Sequence, residues 1–320
     1  MKNMHYFGMK NPSLKKIIFV IVTIIFLQTI DSTVLAAPPA KSSKAAENTF
    51  LARPSDVDIG KTVREEDINS ELGRIKIRWP RSVETFFGRT PLRAMADAAR
   101  TVKRAISKGS FPSELQKLNM PWQVVFMDAD LPETQIPSYL VSNCHPGWMT
   151  PPSNIYIVGQ RIAGGCSASA RNRHGVADEE LAEVLIHEIG HAVEFQLLKN
   201  SNAYGDRMRA EGFATWFETY AARSSSLLSP KKIEDRILSF AKASYRQQPN
   251  TFSFQGSAED YSRASMIFKT LEERKGIAAV MQVYELVNNQ KSSFAEAYQK
   301  VSGWDQKRLD EEAIKFLNDR

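Results

Sequence analysis

The chain has 320 residues, 42% of them hydrophobic, which is room for one large or two smaller domains with a true core. Its formal charge is +6. The stretch beyond residue 36 carries only +3, because four lysines and Asp31 lie before it, and no basic block is left there to suggest a nucleic-acid partner.

Those lysines, Lys2, Lys10, Lys15 and Lys16, precede an apolar run over residues 17–30, and Val34-Leu35-Ala36 offers small residues for cleavage before Ala37. Residues 1–36 read as a secretory signal peptide, so the mature protein is expected in the periplasm or the medium. The apolar run has 14 residues against the about 20 a membrane span needs. An uncleaved anchor is the alternative, but no stable membrane insertion is expected after cleavage. Residues 37–61 are rich in Ala, Pro, Ser and Lys without sustained periodicity, the composition of a flexible leader that could be trimmed or act as a short pro-segment. The rest, 62–320, is expected to form one domain.

Residues 74–79 alternate polar and apolar side chains, a half-buried strand pattern. Residues 91–108 put Leu92, Met95, Ala96, Ala99, Val102 and Ile106 at helical spacing, with a stop at Gly109. Residues 122–127 and 154–158 read as two further strands. Cys144 and Cys166 are the chain's only cysteines, and a pair without a leftover thiol in an exported protein reads as a disulfide. A second zinc site using His145 and His174 is the alternative, although the spacing fits no finger-like pattern.

The next helical run, from Asp178, holds His187-Glu188-Ile189-Gly190-His191, an HExxH pattern. Asp178 is placed to cap it, and Glu179 and Glu180 follow in the first turn, where carboxylates complement the helix dipole. Leu181, Val184, Leu185, Ile186, Ile189, Ala192, Val193 and Leu197 cover most of its circumference, the pattern of a helix buried in a core. His187 and His191 then lie one turn apart and about 40° around the axis, so both can grip one ion. Glu188, about 100° round from His187, is clear of that position yet close enough to take a proton from water. This is the geometry of metal-assisted hydrolysis. Burial sharpens the point, because each unpaired buried polar group costs on the order of a few kcal/mol and a cation partners all three.

A second helical run begins at Asp206, another candidate cap, and contains Glu211-Gly212-Phe213-Ala214-Thr215. Glu211 is the first candidate for a third ligand, because the intervening residues suffice to end one helix, turn through 200–205 and return alongside. Glu218, two turns further on the same face, is its rival, and Gly212 is expected to let the second helix approach the first closely. HExxH followed by such a glutamate segment resembles the gluzincin metallopeptidases, and the string from Glu211 to Thr215 is similar to that of aminopeptidase-N-type enzymes. The resemblance implies one zinc ion held by His187, His191 and Glu211, Glu188 as general base, and a twisted sheet over the motif helix whose edge strand holds extended substrate. Downstream the chain reads as helical to its end, punctuated by Pro230, Pro249 and Gly256. The segment from Tyr261 to Leu271, closing at Gly276, is similar to one that supplies an oxyanion-binding tyrosine in those enzymes. That role falls to Tyr261; a core tyrosine with a wet hydroxyl is the plain alternative.

Two departures matter. No Gly-x-Met-Glu-Asn stretch precedes His187, so an aminopeptidase assignment lacks support. Thr215 stands where thermolysin-like enzymes carry an aspartate, so the group that orients His187 or His191 must come from elsewhere. The expectation is an α+β, zincin-like protein with an upper α/β part over about 62–200 and a helical part over about 201–320. Its expected function is that of an exported, zinc-dependent peptidase acting on peptide or protein substrates. A degenerate zincin that only binds a partner at the cell envelope would not need Glu188. A purely structural zinc site would want a fourth ligand, and none is evident.

Overall fold

The computed structural model describes residues 57–59, 62–85, 91–116, 118, 121–127, 145–162, 176–199, 206–249 and 252–320. The expected signal peptide, most of the leader, both cysteines and His174 lie outside the described residues.

Strands β1 (Val63–Ser70) and β2 (Gly73–Pro80) form an antiparallel hairpin whose turn uses Gly73 at φ 111°. Helix α1 (Pro91–Lys108) and a short α2 (Ser113–Gln116) then lead to β3 (Trp122–Met127), parallel to β2. A parallel neighbour needs such a crossover. Strand β4 (Gly147–Thr150) and β5 (Asn154–Val158) form a second antiparallel pair, with β5 parallel to β3. The result is a mixed five-stranded sheet of order β1-β2-β3-β5-β4.

Both faces of its centre are covered, which is why β3 and β5 are continuous apolar runs. Ile75, Ile77, Val124, Phe126, Ile155 and Ile157 enter the main core beneath the helices. On the other face Val125, Met127, Trp148, Tyr156 and Val158 cluster with Val57 and Ile59, and Arg78 Nη1 donates to the Val57 carbonyl at 3.2 Å. Pattern reading missed β1 and β4. The first is an exposed edge with little apolar alternation, held by the hairpin and by cross-strand pairs such as Lys76 with Glu65 at 2.7 Å. The second has only four residues.

A short α3 (Gly159–Ile162) is followed by α4 (Asp178–Leu198), α5 (Arg207–Ala222), α6 (Pro230–Gln247), α7 (Ala258–Lys275), α8 (Ile277–Gln290), α9 (Phe294–Ser302) and α10 (Gln306–Asn318). The protein is therefore α+β, with a helical C-terminal part. The expected cap of α4 shifts by one residue: Ala177 precedes the helix, and Glu180 reaches back to accept from its N–H at 3.2 Å. Asp206 does cap α5, accepting from Arg209 N–H at 3.1 Å. As its circumference implied, α4 is enclosed, by α1, α5, α8 and β4. No helix among the described residues is long and apolar enough to cross a membrane.

Candidate metal centre

Helix α4 presents His187 and His191 to α5, and Glu211 meets them. Glu211 Oε2 lies 3.3 Å from His187 Nε2 and 3.3 Å from His191 Nε2. One donor atom from each of the three residues falls within 4.8 Å of the others. Glu218 sits further out. Its Oε2 lies 3.3 Å from the opposite ring nitrogen, His187 Nδ1, while its Oε1 accepts from Arg236 Nη2 of α6 at 3.0 Å. A proton on Nδ1 donated to Glu218 leaves the Nε2 lone pair facing the cluster. The orienting carboxylate that Thr215 cannot supply is thus present one helical turn later.

The close approach expected of Gly212 is made elsewhere. A Cβ on Gly212 would fall 2.7 Å from the Ala264 carbonyl oxygen of α7, so this glycine admits α7 and not α4. The α4–α5 seam is close at Gly190, where a Cβ would stand 3.3 Å from Ala214 Cα.

Glu188 is 4% exposed, and its Oε2 has no hydrogen-bond partner among the described residues. Strand β4 lies directly over it, since a Cβ on Gly147 would come within 2.9 Å of Glu188 Oε1. Burial pushes the Glu188 carboxyl up to about 7, against the opposing fields of His191 and His187. His187, although burial opposes its charge, is held well above its usual range by its bonds to Glu211 and Glu218. Glu211, also against its burial, is held well below the carboxylate range by His191 and His187. In the bare chain, then, positive charge on His187 offsets the buried Glu211 carboxylate, the place a cation would take with release of protons. Two imidazole nitrogens and one carboxylate oxygen form a donor set suited to zinc, and the orphaned Glu188 oxygen beside them has no structural use. The residues fit the ion.

A further wall of the cleft comes from α7. Arg207 Nη2, one turn before Glu211, donates to Tyr261 Oη at 3.2 Å and lies 3.1 Å from His145 Nε2. Phe254 stacks on the Tyr261 ring at 5.7 Å, and His187 lies beneath it at 6.3 Å. Burial and the Glu211 charge raise the Tyr261 phenol, which keeps it a proton donor. His145, named in the sequence only for an alternative zinc site with His174, is part of this wall, with Nδ1 3.3 Å from Tyr261 Oη. Nothing in the sequence links position 145 to 261, because the link is made by β4, the sheet-edge strand that packs on α4. Arg207 had a weak signal, its i,i+4 spacing to Glu211. The cleft measures about 710 Å³ and runs along β4 between α4, α5, α6 and α7.

A family model described as a family of unknown function (DUF6055) matches residues 172–318, a span that contains the HExxH helix, Glu211 and Tyr261. No curated protein matches the chain. Among solved structures it is similar to an M1 zinc metallopeptidase from Deinococcus radiodurans, with a TM-score of 0.44 and 11% identity over 80% of this chain and 51% of that one. A mutant of that enzyme gives 0.43 and 12% over 79% and 51%. A two-domain M1 zinc metallopeptidase mutant bound to L-tryptophan gives 0.42 and 11% over 80% and 51%. The chain thus spans about half the length of the structures it matches, and the functional reading rests on the site itself.

Proposed function

We propose that this protein is an exported, zinc-dependent peptidase of the gluzincin type, with His187, His191 and Glu211 holding the ion. The observation that carries this reading is Glu188: a carboxylate enclosed in the core, with one oxygen unpartnered among the described residues, beside three convergent metal donors. A structural metal site or a pure binding site has no use for it. When bound, zinc supplies Lewis-acid polarisation of the scissile carbonyl and acidifies the attacking water. Glu188 accepts that water's proton at its free oxygen and delivers it to the leaving amine nitrogen. Arg207 donates to the Tyr261 oxygen, and the phenol's own O–H, which faces Glu211 and His145 Nδ1 in the bare chain, is placed to turn to the charge that develops on the carbonyl oxygen. Strand β4, the sheet edge over the cleft, is suited to take an extended peptide by strand addition. Export by residues 1–36, a Cys144–Cys166 disulfide and a single catalytic domain over 62–320 belong to the same proposal.

The test is metal analysis of purified protein together with cleavage of a mixed peptide library. Glu188→Gln should keep its zinc and lose turnover, since an amide preserves shape but cannot accept the proton. Tyr261→Phe should keep zinc and lose about 10²-fold in kcat, the cost of one oxyanion donor. Near-normal cleavage by Glu188→Gln would remove Glu188 from the mechanism and favour a binding protein.

A further inference from the structure

The same two helices carry a buried charge pair that the proposed chemistry does not use. Arg209 Nε donates to Glu194 Oε1 at 2.8 Å, with side chains 1% and 3% exposed. Tyr284 Oη of α8 donates to the same Glu194 oxygen at 2.6 Å. Burial and the Glu194 charge hold the Tyr284 phenol well above its usual range, so it remains a donor. Two charges taken out of water are costly, and apolar side chains of similar volume often stabilise a core as well or better. Stability alone is therefore a poor account of why this pair is there.

Its place along the seam gives a better one. As α4 advances from His187 to His191 to Glu194, its partners on α5 step back from Glu218 to Glu211 to Arg209. The helices are antiparallel, and the charge pair is the next rung after the metal donors. A slip of one residue would move α5 by about 1.5 Å and turn it by about 100°. Glu211 Oε2 would then leave the position it shares between two imidazole nitrogens at 3.3 Å. Apolar contacts along a seam tolerate such slippage better than a directional, desolvated pair, and fixing register is the best-attested use of buried polar groups.

We infer that Glu194, Arg209 and Tyr284 form a register clamp, three positioning residues that fix α5 against α4 so that Glu211 meets His187 and His191. This rests on the metal-centre reading above. The test uses the full mature chain and zinc alone, titrated in competition with a chromophoric chelator while thermal unfolding is followed in parallel. Glu194→Leu combined with Arg209→Met replaces the pair by apolar groups and leaves no buried charge behind, so it should fold with a Tm lowered only by the cost of the unpaired Tyr284 hydroxyl. Zinc should nevertheless bind about 10- to 100-fold more weakly, the usual cost of losing a group that supports a metal ligand. Tyr284→Phe removes one bond to Glu194 and should cause a smaller loss of affinity. Trp122→Phe, which loses a bond from Trp122 Nε1 to the Leu72 carbonyl at 3.1 Å in the sheet, is the control: lower Tm, unchanged affinity. Wild-type affinity in the double variant overturns the clamp, as does a loss of zinc that simply follows Tm across all variants, the control included. If the double variant does not fold, unchanged affinity in Tyr284→Phe overturns it. A wild-type protein that takes up no stoichiometric zinc removes the metal-centre reading and the clamp with it, whereas retained affinity in the variants removes the clamp alone.

Discussion

Glu211 and Glu218 occupy one face of α5, and their exchange by alanine tests the proposed metal ligand against its proposed supporting partner. They are seven residues apart, about 10 Å along a helix axis, so both cannot reach one ion fixed by His187 and His191. Glu211 Oε2 stands 3.3 Å from both Nε2 atoms, whereas Glu218 lies 3.3 Å from His187 Nδ1, on the far side of the ring. Glu211→Ala should therefore leave two imidazoles and no stoichiometric zinc after dialysis. Glu218→Ala removes the acceptor that fixes the His187 ring, and the expected loss is about 10- to 100-fold in affinity, or about 1.4–2.7 kcal/mol. Arg236 keeps Glu183 as a partner in that variant, so the chain should still fold. Glu218→Gln should fall between wild type and alanine, because its amide oxygen can still accept from Nδ1. The assay is zinc content by elemental analysis after dialysis, with Kd from chelator competition. A Glu211 variant that retains stoichiometric zinc, beside a Glu218 variant that comes out empty, would refute the ligand assignment and require α5 to be redrawn in register.

Three further outcomes are expected. Gly212→Ala would place a Cβ 2.7 Å from the Ala264 carbonyl, so overpacking should cost about 1–3 kcal/mol, seen as a lower thermal midpoint. An unchanged midpoint would mean that α5 and α7 are not so tightly apposed. Glu183 is raised to about 8 by burial and by the Glu218 charge, with Arg236 opposing. Its folded form keeps a proton that the unfolded chain releases near about pH 4.3, so this contribution is complete below that pH and is lost as pH rises through about 8. Glu183→Gln should flatten that decline in Tm, and parallel Tm profiles for the two proteins would contradict it. Thiol titration of unfolded, non-reduced mature protein should find no free thiol, and two free thiols would dispose of the proposed Cys144–Cys166 bridge.

Much of the fold was legible where pattern and burial coincide. The strands over 122–127 and 154–158 are continuous apolar runs because both faces of the sheet are covered, and α1 reads at helical spacing because one stripe of it enters the core. Strand β1 was illegible because its charged side chains point to solvent and it is held by its hairpin partner. In the site, the spacing of His187, Glu188 and His191 followed from helix periodicity alone.

The sequence by itself determined a buried helix with two imidazoles on one face, a carboxylate beside them, and a second helix that could return with Glu211 or Glu218. By spacing it could not choose between those glutamates, because spacing on one helix says nothing about its register against another; only the resemblance of the string from Glu211 to Thr215 favoured Glu211. That choice lay with the packing of α5 on α4, at the Gly190 contact and the Glu194–Arg209 pair, which brings Glu211 to both imidazoles and leaves Glu218 behind one of them. His145 and Arg207 joined Tyr261 for the same reason. Residues 116 and 54 positions apart along the chain from Tyr261 meet it only because the sheet edge and four helices close on one cleft.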